Sequence, residues 1–129
     1  MLIGIGHDIQ LISELKSAES LRVPGIFFTE NECLYFNGRK NSLQSLAGIF
    51  AAKEAFFKAI PRISNFCWTD VEVLHDIRHA PYFQLHGSLQ EYFASQGWTA
   101  NLSISHSGEY VSTVVVVSAW QKPQEIPTH

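Results

Sequence analysis

Phe50-Ala51-Ala52-Lys53-Glu54-Ala55-Phe56-Phe57-Lys58 is the stretch on which a reading of this 129-residue chain turns. Extended back to Leu43 and on to Ile60, it forms a window without proline and rich in good helix formers. Helical spacing places Leu43, Leu46, Phe50 and Phe57 on one stripe, with Ile49, Phe56 and Ile60 beside it. The opposite side carries Gly48, Ala51, Ala52 and Ala55, small enough for another backbone to come close. A helix that is apolar or small all round is a buried helix. Its charges, Lys53, Glu54 and Lys58, then need partners, because an isolated buried charge is costly. Glu54 and Lys58 lie four apart, so one reading is an ion pair at a partly solvated edge. The other is a metal or an anionic ligand.

Outward from this helix, Leu2 to His7 reads as a short buried strand whose two glycines admit close backbone approach. Ile9, Leu11, Ile12 and Leu15 suggest a helix beginning directly at Asp8. Asp8 is then either its N-cap or a carboxylate held at a strand end beside a helix N-terminus, where ligands often bind. Thr29-Glu30-Asn31-Glu32 fits a capping box opening a helix to about Phe36, and Asn37 to Ser42 is a polar turn with Arg39 and Lys40. Pro61 ends the central helix near Ile60. Trp68 to His75 and Pro81 to His86 read as a hairpin, with Val71 and Val73 on one face. Ser88 to Glu91 resembles a second capping box, opening a helix that stops at Gly97. Asn101 to Ser105 and Tyr110 to Trp120 form another hairpin, and the run Val114 to Val117 predicts burial on both faces. Antiparallel strands with separate helices give an α+β two-layer sandwich, its helices packed on one side of the sheet. One domain is expected over residues 1–120, followed by a disordered tail over 121–129.

Composition narrows the function. The chain is 46% hydrophobic and 16% charged, enough apolar material for a core and too much for global disorder. A net charge of −3 argues against a nucleic-acid partner, so any anionic ligand must be held by a few placed cations. No membrane span or export signal is expected, and Cys33 and Cys67 lack metal spacing, which suggests reduced thiols in a cytoplasmic protein.

Asp8 and Glu54 come from a strand end and a buried helix. Two converging carboxylates completed by water suit Mg²⁺, which often shares substrate phosphates. Lys53 and Lys58 would offset phosphate charge, as would Arg39, Lys40 or Arg62 on neighbouring loops. His106, before a hairpin turn, could contact a phosphate or carry a proton, or simply be a hydrogen-bonded strand-end histidine. His75, His79 and His86 have no zinc spacing and read as surface histidines. Ser103 to His106 lacks a nucleophile elbow, and Gly4-Ile5-Gly6 lacks the third glycine of a dinucleotide fingerprint.

Three motifs together resemble the 4′-phosphopantetheinyl transferases of the short holo-acyl carrier protein synthase type. They are Gly4-Ile5-Gly6-His7-Asp8-Ile9, the central Phe50 to Lys58 stretch, and Ser103-Ile104-Ser105-His106, in the family's order over most of Met1 to Trp120. The resemblance implies transfer of 4′-phosphopantetheine from coenzyme A to a serine of an apo acyl or peptidyl carrier protein, releasing adenosine 3′,5′-bisphosphate. It implies that Asp8 and Glu54 ligate Mg²⁺ and that Lys58 and His106 contact the diphosphate. Lys53 is carried along as a cofactor-site residue, with structural pairing as its other role. The serine's base is left open between a metal-activated water and a metal-bound carboxylate. The resemblance also implies a homotrimer with active sites between subunits.

Departures from the pattern reduce peripheral positive charge. Glu14 stands where the family usually has an arginine facing the acidic carrier, and Ile49 replaces an arginine that helps hold coenzyme A. Ile60-Pro61 replaces Leu-Gly, and His79-Ala80-Pro81 replaces Gly-Lys/Arg-Pro. These changes suggest a dedicated polyketide or peptide carrier. The alternatives are a coenzyme A-binding homologue without transfer, or a structural trimer subunit.

Overall fold

The computed structural model describes residues 1–63 and 65–121. The central helix, α2, runs Ser42–Ala59. The Asn41 side chain accepts from the Gln44 N–H at its start, and Ile60 turns extended before Pro61 at its end. Burial runs from Leu46 to Ile49 and again through Ala51, Ala52, Lys53, Ala55, Phe56 and Ala59, as the all-round apolar pattern requires.

The surface that receives α2 is an antiparallel sheet in the order β1-β5-β4, formed by β1 (Leu2–Leu11), β4 (Trp98–Ser107) and β5 (Tyr110–Ala119). A second, two-stranded sheet pairs β2 (Val71–His75) with β3 (Pro81–Leu85), and β3 lies beside β4. Helix α1 (Glu30–Asn37) precedes α2, and α3 (Gly87–Gln96) follows the hairpin. The architecture is α+β with antiparallel sheets. Among the described residues, no helix is long and apolar enough to cross a membrane.

Close contact between α2 and β1 depends on glycine. A Cβ on Gly6 would lie 1.9 Å from the Ala55 carbonyl oxygen, and one on Gly4 would lie 1.9 Å from that of Ala59. No side chain fits there, so the helix backbone rests directly on the strand. Two hydrophobic clusters flank this contact. One gathers Phe27, Phe28, Phe36, Leu46, Ile49, Val73 and Val111; the other gathers Phe56, Leu89, Phe93, Val115 and Val117.

Lys53 is fully buried within α2. Its ammonium donates to Glu32 Oε1 and to the Phe27 carbonyl, both at 2.6 Å. The remaining Glu32 oxygen accepts from the Val73 N–H at 2.8 Å, while Oε1 also accepts from Thr29 N–H at 2.9 Å. Burial pushes the Glu32 carboxyl up and the Lys53 ammonium down, against the pull of each charge on the other. Thr29 and Glu32 complete the expected capping box, so one carboxylate both caps α1 and neutralises α2's lysine.

Several sequence expectations are corrected. Asp8 is not a helix N-cap: β1 continues to Leu11, paired with Tyr110, and a 3-10 turn follows over Ile12–Leu15. Nine backbone pairings with β5 outweigh the weak helical spacing after Asp8. Val114 and Val116 are each 37% exposed, whereas Val115 and Val117 are buried, so β5 alternates instead of burying both faces. Ser88 does not cap α3; the helix starts one residue earlier and the Ser88 hydroxyl donates to the Asn65 carbonyl. Residues 68–70 form a 3-10 turn ahead of β2. Gly97 does end α3, in the left-handed conformation at φ 68°. The tail expected to be disordered lies, from residue 122 on, outside the described residues.

Gly6→Ala should lower stability by about 2–3 kcal/mol, because the added methyl must displace the α2 backbone. Urea unfolding measures it, and an unchanged midpoint would remove the close helix–strand contact from this description.

Candidate active site

Alternation along β1 turns Gly6 and Asp8 inward and Ile5, His7 and Ile9 outward. Asp8 therefore faces α2 one pleat beyond the glycine contact, where Glu54 and Lys58 occupy consecutive turns. Its carboxylate is only 7% exposed. Oδ1 accepts from Lys58 Nζ at 2.9 Å, and the same ammonium reaches the His7 carbonyl at 3.2 Å. Lys58 thus bonds Asp8 across the contact; among the described residues it makes no salt bridge with Glu54, so the intrahelical ion pair does not form.

Asp8 Oδ2 is buried and lacks a hydrogen-bond partner. Glu54, half-buried, stands against it. Burial first, then the Asp8 charge, pushes the Glu54 carboxyl above the usual range, with Lys58 opposing. Asp8, with one orphaned oxygen, and Glu54 form an acidic pair with one lysine bonded to Asp8. All donors are hard oxygens, suited to a hydrated divalent cation. No group of three or more His, Cys, Asp or Glu that could hold a metal ion is found among the described residues, so such an ion would be completed by water and ligand oxygens.

His106 is not brought to this pair within one chain. The row containing Asp8 continues through Thr113 to Ile104, and His106 lies two residues further along β4. Two inter-strand spacings, roughly 10 Å, separate the rows' outer strands. His106 instead lines a cavity of about 210 Å³ with Tyr35, Arg39, Ile49, His75 and His79. Of the loop cations considered, Arg39 lines this cavity, while Lys40 and Arg62 do not. Lys53 reaches neither place. It is fully buried against Glu32 and makes the structural pairing described above.

The histidines expected at the surface divide. His75 stacks flat on Tyr35, ring centroids 3.6 Å apart and planes 2° apart. Burial, then the charges of His79 and Arg39, lowers its pKa to about 4, so the ring is neutral near pH 7. His86 is 3.0 Å from the buried Glu72. Tyr35 and His75 escaped sequence reasoning because they lie 40 residues apart with no motif joining them. Only the α1 capping box, which fixes where α1 begins, bears on Tyr35's placement.

A small antiparallel sheet clamping one buried helix, with an acidic pair at their contact, defines the class of protein. The family model for the 4′-phosphopantetheinyl transferase superfamily matches residues 4–115. The holo-[acyl-carrier-protein] synthase of Protochlamydia amoebophila is 36% identical over 124 residues, covering 92% of this chain and 100% of that one. That of Thermoanaerobacter sp. is 32% identical over 126 residues, covering 95% and 91%. Among solved structures, the Neisseria meningitidis synthase superposes with a TM-score of 0.78 at 28% identity, covering 92% of this chain and 99% of that one. The Chronobacterium ammoniagenes synthase, solved as a coenzyme A complex, gives 0.76 at 29% identity, covering 92% and 98%. The chain belongs to the 4′-phosphopantetheinyl transferase superfamily, an enzyme family, and to its holo-[acyl-carrier-protein] synthase type.

Glu54 carries a testable electrostatic signature. Its folded-state pKa lies above the ordinary value of 4.5, so the folded chain holds this proton after the unfolded chain has released it. Stability from this group therefore declines as pH rises from 4.5 through the raised value. Glu54→Gln should flatten that decline and raise the metal-free melting temperature at pH 7.5 by ~2 °C. Added Mg²⁺ should stabilise the wild type and not the variant. Scanning calorimetry checks both, and a variant less stable than wild type without metal would contradict the crowded-carboxylate description.

Proposed function

We propose that this chain transfers 4′-phosphopantetheine from coenzyme A to a serine of an apo acyl or peptidyl carrier protein, releasing adenosine 3′,5′-bisphosphate. The observation that carries the reading is the Asp8–Glu54 pair with its orphaned inward oxygen, set where α2 meets β1 with Lys58 bonded to Asp8. Relatives named holo-[acyl-carrier-protein] synthase, and related structures with coenzyme A, support it.

Asp8 and Glu54 would hold Mg²⁺. When bound, this ion neutralises diphosphate charge and polarises the phosphorus under attack. Lys58, more than half exposed, is free to swing its ammonium from Asp8 toward a phosphate oxygen. The serine oxygen bonds to the phosphorus on the pantetheine side, and the phosphate–phosphate bridging oxygen leaves with the nucleotide. The serine proton needs an acceptor at this place. A metal-activated water or a metal-bound carboxylate would take it.

A homotrimer with sites between subunits fits two features. Ile5, Ile9, Val114 and Val116 leave an apolar sheet face at 59%, 61%, 37% and 37% exposure, a surface that further copies of the chain would cover. The His106 cavity also stands apart from the acidic pair, so a neighbouring chain can bring one to the other. Glu14, held by Gln10 at 3.3 Å, puts negative charge where the family's arginine faces the carrier. That favours a dedicated, less acidic carrier.

Incubation of apo carrier proteins with coenzyme A and Mg²⁺ should add one phosphopantetheine mass, and a chelator should abolish the gain. Asp8→Asn and Glu54→Gln should each lower the rate at least ~100-fold. Coenzyme A binding with no mass gain on any carrier would instead leave a binding homologue. Light scattering should report three chains per particle.

A further inference from the structure

Four polar side chains beside α1 take no part in the chemistry above, yet each is bonded to the next from the surface to the core. His86, at the β3–α3 junction, has Nε2 3.0 Å from Glu72 Oε1 on β2. The other Glu72 oxygen accepts from the Thr29 hydroxyl at 2.5 Å. That hydroxyl oxygen accepts in turn from the Glu32 N–H at 3.2 Å, and Glu32 takes the Lys53 ammonium. Glu72 is 4% exposed. Burial raises its carboxyl, but the bonds from Thr29 and His86 and the His86 charge outweigh that and hold it below the ordinary range. Glu72 is therefore an anion near neutral pH, and the Thr29 proton points at it. β2 thus grips the start of α1 twice, by the Glu72 carboxylate and by the Val73 N–H that donates to Glu32.

The block so formed presents one receptor to α2. The Phe27 carbonyl and Glu32 Oε1 accept from the Lys53 ammonium, and the Phe27 and Phe28 ring centres lie 5.2 and 5.5 Å from it. Two residues turn a helix about 200°, so Lys53 leaves α2 on the side opposite Ala55. β1 holds the Ala55 side through Gly6. Glu54 projects between these two anchors, and a rotation that swung it away from Asp8 would break one of them. Without both anchors, the repulsion between the two carboxylates would favour that rotation. Resting on the transferase reading above, we propose that Thr29 and Glu72 are positioning residues for the reaction: by fixing the receptor of Lys53, they set the rotation of α2 that turns Glu54 onto Asp8. They act through Lys53 and not by contact with the reacting groups.

The test is Mn²⁺ binding to the full chain without coenzyme A or carrier, read as loss of the free-ion paramagnetic resonance signal. Thr29→Val keeps the shape and removes the hydroxyl, and it should weaken Mn²⁺ binding about tenfold. Thr29→Ser restores the hydroxyl and should bind as wild type does. Glu72→Gln removes the charge that orients Thr29 and should weaken binding in the same direction, which gives a second reading should Thr29→Val not fold. Leu89→Ala, in the other hydrophobic cluster, should lower the melting temperature and leave Mn²⁺ affinity unchanged. Equal affinity in wild type, Thr29→Val and Glu72→Gln would overturn the positioning role. So would an equal weakening in Leu89→Ala, or no Mn²⁺ binding by wild type. Mn²⁺ binding that follows the expected pattern, with no phosphopantetheine gained by any carrier, would overturn the transferase reading alone.

Discussion

The fold depends on one contact: the backbone of α2 lying against the backbone of β1 with nothing between. Gly4 and Gly6 make it, under the carbonyls of Ala59 and Ala55. Because the strand alternates, the residue two beyond Gly6 points at the same helix. Because the helix turns every 3.6 residues, the side chains flanking Ala55 meet it there. The carboxylate of Asp8 is thereby pressed into Glu54 and Lys58 by backbone geometry that neither side chain could arrange. Glycine's lack of a side chain is thus a condition of this charge cluster as well as of the packing.

Two sets of charges on α2 illustrate how burial separates structure from function. Lys53 has a carboxylate at 2.6 Å, a backbone carbonyl at the same distance, and no solvent. Its partner Glu32 is satisfied at both oxygens. That network is closed. Glu54, one residue further on, faces another carboxylate, and Asp8 Oδ2 has no donor. A closed network holds the core together, while an open one of like charge costs stability that a proton or a cation relieves. The Lys-Glu dipeptide thus puts a closed core tie and an open carboxylate on adjacent positions of one helix.

Much of this was legible in the residues. The apolar stripe and small opposite face of Leu43 to Ile60 required a buried helix, and the two early glycines pointed to close backbone approach. Thr29 and Glu32 announced a cap that the structure contains. The failures have physical causes. Leu11 and Ile12 suit strand and helix alike, and only the distant pairing with Tyr110 settles them as strand and 3-10 turn. Lys53 could not be separated from Lys58 by spacing, since its partner Glu32 is 21 residues away on another helix. The run Val114 to Val117 promised burial on both faces, but on the isolated chain only Val115 and Val117 are covered.

The central claim is that Asp8 and Glu54 grip one divalent cation at the helix–strand contact. Anomalous diffraction from crystals grown with Mn²⁺ and coenzyme A tests it most directly. A single peak within coordination distance of both carboxylates, shared with a diphosphate oxygen, is the predicted result. A metal peak elsewhere, with Asp8 and Glu54 still bonded only to protein and water, would contradict it.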